Sequence, residues 1–312
     1  MRIRVLIAGL VLSGAAWSQE QPAPRGDLGV RYWVSSGESK RAHNAQSFDP
    51  SLGNPTSVLL YENLDANTIE LFGRQYFGGG KWLVKGFIGL GEITRGSFRD
   101  EDFSAGQVKF SETTSSVSAG EISYGAIDIG RNVWRLRDGR TLVGLYVGYS
   151  EWKEEVDAHG ATDHLGFIGG DIPSDVLVIT NKVVWKALRV GFAGNLALTE
   201  RMRLDIDLAL VPYAKVRNDD SHHLRADPTL NDLGPVPNIL IEGRGYGVQL
   251  DAELRYEIVR RTELGLGVRY WYLETTSSAT RSLPNRPDVP ELPVTDFYSE
   301  RFGATLSLRR VW

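Results

Sequence analysis

The segment Tyr246-Gly247-Val248-Gln249-Leu250-Asp251-Ala252-Glu253-Leu254-Arg255-Tyr256-Glu257-Ile258 alternates between an apolar and a polar face along its whole length. In an extended chain, residues two apart share a side. Tyr246, Val248, Leu250, Ala252, Leu254, Tyr256 and Ile258 therefore fall together, opposite Gln249, Asp251, Glu253, Arg255 and Glu257. A soluble sandwich would turn the apolar side to a core. Here the polar side is dense in charge and the strand is long, which fits lipid outside and a wet interior. Leu204, Ile206, Leu208 and Leu210 repeat the pattern opposite Asp205 and Asp207. The mean hydropathy of −0.22 does not oppose this, because alternation keeps every window from becoming strongly hydrophobic.

The connections between such segments sort by length. Short ones fall at Gly78-Gly79-Gly80-Lys81, Arg137-Asp138-Gly139-Arg140, Leu198 to Arg201 and Arg260 to Glu263. Long polar ones fall at Gly37 to Thr56, Thr94 to Thr114, Glu155 to Ser174, Arg217 to Asn238 and Thr275 to Thr295. They alternate strictly, long then short, as in outer-membrane barrels with short turns at one end and long loops at the other. Five long and four short connections predict an all-β fold: a ten-stranded antiparallel up-and-down transmembrane β-barrel with long outer loops. The alternation over Ser57 to Phe77 and over Val176 to Leu198 exceeds the roughly 9–11 residues that cross a bilayer. The barrel should therefore stand above the membrane and leave room for a cleft. Gly29-Val30-Arg31-Tyr32-Trp33 recurs as Gly267-Val268-Arg269-Tyr270-Trp271, and the aromatics of both are expected in one interfacial girdle. Trp312, with Leu308 and Leu306 in phase, gives the last strand the aromatic ending of such barrels, although Arg310 occupies a position that is usually apolar there.

At the N-terminus, Arg2 and Arg4 precede a short apolar stretch, Val5 to Ala16, and Ala16-Trp17-Ser18 offers a small-x-small cleavage site. A signal peptide over 1–18 and a barrel over 19–312 are expected, with the cut at Ser18/Gln19. The net charge of −4 gives no case for nucleic-acid binding. The absence of cysteine excludes a disulfide scaffold, thiol catalysis and thiolate metal sites.

Two motifs carry candidate chemistry. Asp100 and Asp102 share a face in the second long stretch, and Asp220 and His222 share one in the fourth. Those stretches lie on opposite sides of a ten-stranded ring, so the pairs can face each other across its mouth. Asp220 would orient His222, and His222 would act as general base on a water held against the opposing carboxylates. Two close acids repel, so one of Asp100 and Asp102 would keep a proton near neutral pH. Composition alone does not separate such a site from solvated acidic loop tips. His159, Asp163 and His164 could gather at a metal, but the two loop histidines lack a third well-spaced ligand, so no metal site is expected. His223 should point away from His222. Gly78-Gly79-Gly80 precedes no helix and reads as a turn rather than a phosphate loop. Neither Gly-x-Ser-x-Gly nor His-Glu-x-x-His occurs.

The segment Thr94-Arg95-Gly96-Ser97-Phe98-Arg99-Asp100-Glu101-Asp102-Phe103 resembles the omptin segment with an Asp-x-Asp-aromatic catalytic pair. Tyr213 to His222, continuing to Asp227-Pro228, resembles the omptin segment with the Asp-x-His pair. Tyr149-Ser150-Glu151-Trp152-Lys153 is similar to the Tyr-x-Glu-x-basic part of that family's lipopolysaccharide site, and Ser36-Gly37-Glu38-Ser39-Lys40 to the tip of its first strand. The resemblance implies a monomeric outer-membrane Asp/His endopeptidase that acts on polypeptides at the cell surface. It implies lipopolysaccharide as activator and no cofactor, with Tyr149, Glu151 and Lys153 in the lipid site and Glu151 holding Lys153. A second basic residue of that site aligns with Val184, for which Lys186 can substitute. Two acids that give the family its pocket for basic side chains align with Asn218 and Arg41, so a preference for cutting beside Arg or Lys is not carried over. The rivals are an inactive barrel acting as adhesin or receptor, a small porin, and a lipid A-modifying barrel, for which no Ser/His motif is present.

Overall fold

The computed structural model describes residues 26–136, 141–227 and 232–312. The expected signal segment, the Arg137–Arg140 turn and Pro228 lie outside the described residues. The strands are β1 (Gly26–His43), β2 (Ser57–Phe77), β3 (Trp82–Ser104), β4 (Val108–Leu136), β5 (Thr141–Asp163), β6 (Ile172–Ala197), β7 (Met202–His222), β8 (Ile239–Val259), β9 (Thr262–Thr275), β10 (Thr280–Ser282) and β11 (Leu292–Val311). Each of β1 to β8 pairs antiparallel with the next, β8 pairs with β9, β9 with β11, and β11 with β1. Ten long strands therefore close into an up-and-down ring with no free edge, as the sequence pattern predicts. The eleventh, β10, is three residues long and fills the gap between β8 and β11 above the end of β9.

The expected connections are shorter than the polar stretches suggested. β2 has 21 residues and β6 has 26, well beyond a bilayer crossing. Most of Thr94 to Thr114 is paired strand, turning only at 105–107, where Ala105 (φ 51°) and Gly106 (φ 70°) adopt left-handed backbone. Above the membrane both faces of a strand can be polar, so polarity there does not report a loop.

Outside the lower barrel lies an apolar belt. Val30, Leu71, Ile88, Ile129, Leu145 and Leu266 are among its half-exposed side chains. Inside, the charges of the alternating strands pair across the ring. Arg269 Nη1 lies 2.6 Å from Glu70, tying β9 to β2, and Arg74 Nη2 lies 2.8 Å from Asp205, tying β2 to β7. Arg189 reaches Asp128 at 3.3 Å, and Arg309 pairs with Glu253. The void among these charges is about 90 Å³, so the lumen is crossed by side chains rather than open. Above it sits an aromatic layer. Trp33 and Trp271 are buried with ring centres 5.2 Å apart, packed against Tyr124, while Trp271 also touches Trp152. Gly89 makes room for this layer, since a Cβ there would lie 2.4 Å from the Tyr124 ring.

The repeated Gly-Val-Arg-Tyr-Trp segments thus differ from expectation. Their tyrosines face outward, but Trp33 and Trp271 face inward, because a residue next to an outward tyrosine must point to the lumen.

The inward phase of the strands changes near mid-height. Along β7, Asp205, Asp207, Ala209 and Val211 point inward, and then Ala214, Val216, Asn218 and Asp220 do. The register against both β6 and β8 gains a residue on β7 at Pro212-Tyr213. Proline within a sheet is at home in such a bulge, having no N–H for the ladder. On β3 the inward set passes from Leu83 and Ile93 to Phe98, with register shifts against β2 around Asp65. A slip of one residue exchanges the faces of everything beyond it. These two breaks turn Asp100, Asp102, Asp220 and His222 into the barrel instead of out of it.

Candidate active site

The upper ends of β3 and β7 stand on opposite sides of the ring and contribute the four candidate residues to one cleft of about 660 Å³. All four lie on strands rather than on loops. His222 Nε2 is 3.4 Å from Asp220 Oδ2, a contact longer than a hydrogen bond. The end of β7 is fixed by Asn238, which is fully buried. Its Oδ1 accepts from the His222 backbone N–H at 3.0 Å, and its Nδ2 donates to the His222 carbonyl at 3.0 Å. Asn238 was not singled out from the sequence. It closes the connection back to β8, a pairing that no local pattern announces.

Asp100 is enclosed in the wall, and its Oδ1 has no hydrogen-bond partner. Burial first, then the neighbouring Asp102 and the more distant Asp220, push its carboxyl up to about 7, against the pull of His222. Burial also raises Asp102. The pair thus favours keeping one proton near neutrality, as two adjacent carboxyls must. Asp220 goes the other way. Burial opposes its charge, but Arg41 and then His222 outweigh it and hold it down to about 2.

Arg41 and Asn218 do come together, with Arg41 on the floor of the cleft and Asn218 fully buried behind it. Arg41 donates through Nη1 to Asn218 Oδ1, while Nη1 lies 3.6 Å from Asp220. Its guanidinium lies 4.9 Å from the ring of Tyr61, which packs on Phe98. Asn218 Nδ2 donates to the Lys182 carbonyl at 3.0 Å. Three further charged or titratable residues of the cleft escaped the sequence reading: His43, Arg225 and Arg281. Arg281 belongs to β10, which folds back over the site, and this return is invisible in the alternation. Its neighbour His43 is kept neutral at pH 7, lowered to about 3 by burial and then by Arg281. Much of the rest of the wall is apolar, including Phe98, Phe103, Phe110, Phe167, Ile168 and Val178, with the hydroxyl side chains of Ser57, Ser111, Thr113 and Ser115 among them.

His223 opens a single 3-10 turn and meets Thr180 on the outer side, Nε2 to Oγ1 3.0 Å, so it stands away from the cleft as expected. Among the described residues no group of three potential ligands could hold a metal. Asp163 instead accepts from the backbone N–H groups of Leu165, Gly166, Phe167 and Ile168 and shapes its loop. His164 Nε2 contacts Thr114 Oγ1 at 2.9 Å.

Outside the barrel, Tyr149, Glu151, Lys153 and Lys186 lie together on β5 and β6, directly above Leu145, Val147, Leu188 and Val190 of the apolar belt. The pairing differs from the expected one. Lys153 sits 3.1 Å from Glu155, and Glu151 sits 3.8 Å from Lys186, its direct cross-strand neighbour. Cross-strand opposition places Lys186 nearer to Glu151 than the same-strand residue two positions on.

No protein-family model matches the chain, and no curated protein matches it. Among solved structures the fold is similar to the outer membrane protease OmpT of Escherichia coli, with a TM-score of 0.72 at 14% identity over 95% of this chain and 99% of that one. Matches of lower TM-score include the translocator domain of the autotransporter NalP from Neisseria meningitidis (0.36, 7% identity, 90% of this chain and 88% of that one). The attachment invasion locus protein Ail of Yersinia pestis is another (0.28, 9% identity, 91% and 99%). The OmpT likeness extends over nearly the whole barrel and establishes the fold.

Proposed function

We propose that this chain is an omptin-type endopeptidase of the bacterial outer membrane, with its cleft facing the cell exterior. The observation that carries this reading is the meeting of Asp220–His222 and Asp100–Asp102 in one cleft, from strands on opposite sides of the ring. A peptide laid across the mouth would bring its scissile carbonyl between the two pairs. His222 takes a proton from water as the water oxygen attacks the carbonyl carbon, and the Asp220 carboxylate stabilises the imidazolium. The proton shared by Asp100 and Asp102 polarises the developing oxyanion or passes to the leaving amine. No side-chain nucleophile and no cofactor enter. The outward cluster of Tyr149, Glu151, Lys153 and Lys186 stands where lipid phosphates meet the apolar belt, and supports lipopolysaccharide as activator. The apolar belt faces the bilayer, the substrates are polypeptides, no nucleic acid is engaged, and the barrel acts as a monomer.

The experiment is cleavage of a mixed peptide library by refolded barrel, with and without lipopolysaccharide, beside His222→Ala. Sites cut by the parent alone support the protease. No cutting by a barrel whose folding is verified by circular dichroism would discard it. A second reading, an inactive barrel serving as adhesin or receptor, has one observation in its favour: Arg41 already lies against Asp220. Cutting that disappears in Asp220→Ala would exclude that reading.

A further inference from the structure

Among the described residues, the lining of the cleft contains no acid beyond the candidate catalytic ones. Its charged lining consists of Asp100, Asp102 and Asp220 on one side of the balance and Arg41, Arg225 and Arg281 on the other. A basic substrate side chain would find no carboxylate free of the proposed catalytic work. The arginines are placed differently from one another. Arg225 is half-committed, 2.9 Å from Asp232 at the rim. Arg281 forms no salt bridge with a described residue, and in register it stands beside Ile241, which itself stands beside Asn218. Enclosure lowers its guanidinium to about 10, so it is still charged at neutral pH. Arg41 is 2% exposed, and its Nε and Nη2 donors have no hydrogen-bond partner although buried. Buried unpaired donors on a cation are costly unless a ligand satisfies them. A planar guanidinium presenting two adjacent N–H groups matches a carboxylate in bidentate fashion.

We infer that the cleft selects substrates carrying a carboxylate, an Asp or Glu side chain, which Arg41 receives on the floor while Arg281 closes over it from β10. Next to this cationic floor the phenylalanine-rich wall accepts a large apolar neighbour, so the preferred sequence pairs an acidic residue with an aromatic or aliphatic one. The selection concerns binding. Only its consequence for cleavage rests on the protease reading.

The test is fluorescence anisotropy of labelled peptides that differ at one central residue, Glu, Ala or Lys, flanked by Phe, on the His222→Ala barrel refolded with lipopolysaccharide. The Glu peptide should bind at least about tenfold tighter than the Ala peptide, as expected for a charge-assisted bidentate pair. Arg41→Gln should erase that advantage. Arg281→Gln, in the three-residue strand that bridges β8 and β11 above β9, should reduce it severalfold while leaving the ten long strands closed through β9, and so serves where Arg41→Gln fails to fold. Tightest binding of the Lys peptide, or an unchanged Glu advantage in both variants, would overturn the inference. Cleavage of the same peptides by the unmodified barrel separates the two readings. Selective Glu binding with no cleavage keeps this inference and removes the protease. Cleavage without any Glu preference does the reverse.

Discussion

The lower barrel buries many more charges than the mouth, and the two regions treat theirs differently. Below the aromatic layer, Arg269, Arg74, Arg189 and Arg309 each meet a carboxylate across the ring. At the mouth, Asp100 faces another acid and Arg281 has no ion-pair partner among the described residues, while Arg41 lies against the proposed catalytic Asp220 and, like Arg189 and Arg255 below, keeps two donors without a hydrogen bond. Paired buried charges contribute little net stability, but they lock the wall, because loss of one partner strands the other. Unpaired ones cost stability and persist where a ligand or a reaction uses them. The same strands therefore perform as scaffold at one height and as site at the other.

The comparison breaks most sharply if charges at the two heights respond alike. His222→Ala should lower cleavage by about 10²–10⁴-fold, the usual contribution of a general base, with the urea unfolding midpoint unchanged. Arg269→Ala should do the converse. It leaves Glu70 and Asp251 with Arg31 as their shared cation and should destabilise the barrel by up to about 3–5 kcal/mol in urea titration, while any refolded fraction cleaves normally. A large stability loss from His222→Ala would erase the distinction between the regions.

The pH response sharpens it. The folded protein favours the protonated form of Asp100, raised to about 7 from an ordinary 3.8. Its contribution is full at acid pH and is lost as pH rises through about 7. Asp220, lowered to about 2, contributes above its ordinary value and loses that contribution only as pH falls toward 2. Asp100→Asn should therefore flatten the decline in urea midpoint between about pH 4 and pH 7. If parent and variant decline in parallel, Asp100 does not carry the proton. The smallest effect concerns the outer surface. Lys153→Ala should weaken activation by lipopolysaccharide about fivefold, or about 1 kcal/mol, in a dose–response of cleavage.

The lower barrel was the more legible region. From Tyr246 to Ile258, lipid on one side and ions on the other force strict alternation, and the structure keeps every inward charge inward. The quartet was legible as two i, i+2 pairs, since that spacing survives whether the chain is strand or loop. What it rests on was not. Above the membrane, polarity marks both strand and connection, so β3 and β4 were cut short in the reading of Thr94 to Thr114. Arg281 and Asn238 reach the site through chain returns, and pairings over such distances leave no periodic trace. Pro212 was the one local sign of the phase break, a proline inside an otherwise regular strand.

That bulge gives the barrel a hinge in its sequence grammar. Below it, odd positions of β7 read inward, and above it, even ones do. A single-residue deletion at Pro212-Tyr213 would leave the membrane storey in frame and turn Asn218, Asp220 and His222 toward the exterior. Substitutions above the bulge, by contrast, rewrite the inner lining of the mouth with no demand on the part that must satisfy lipid. A barrel of this plan can exchange its recognition chemistry while its anchorage stays fixed.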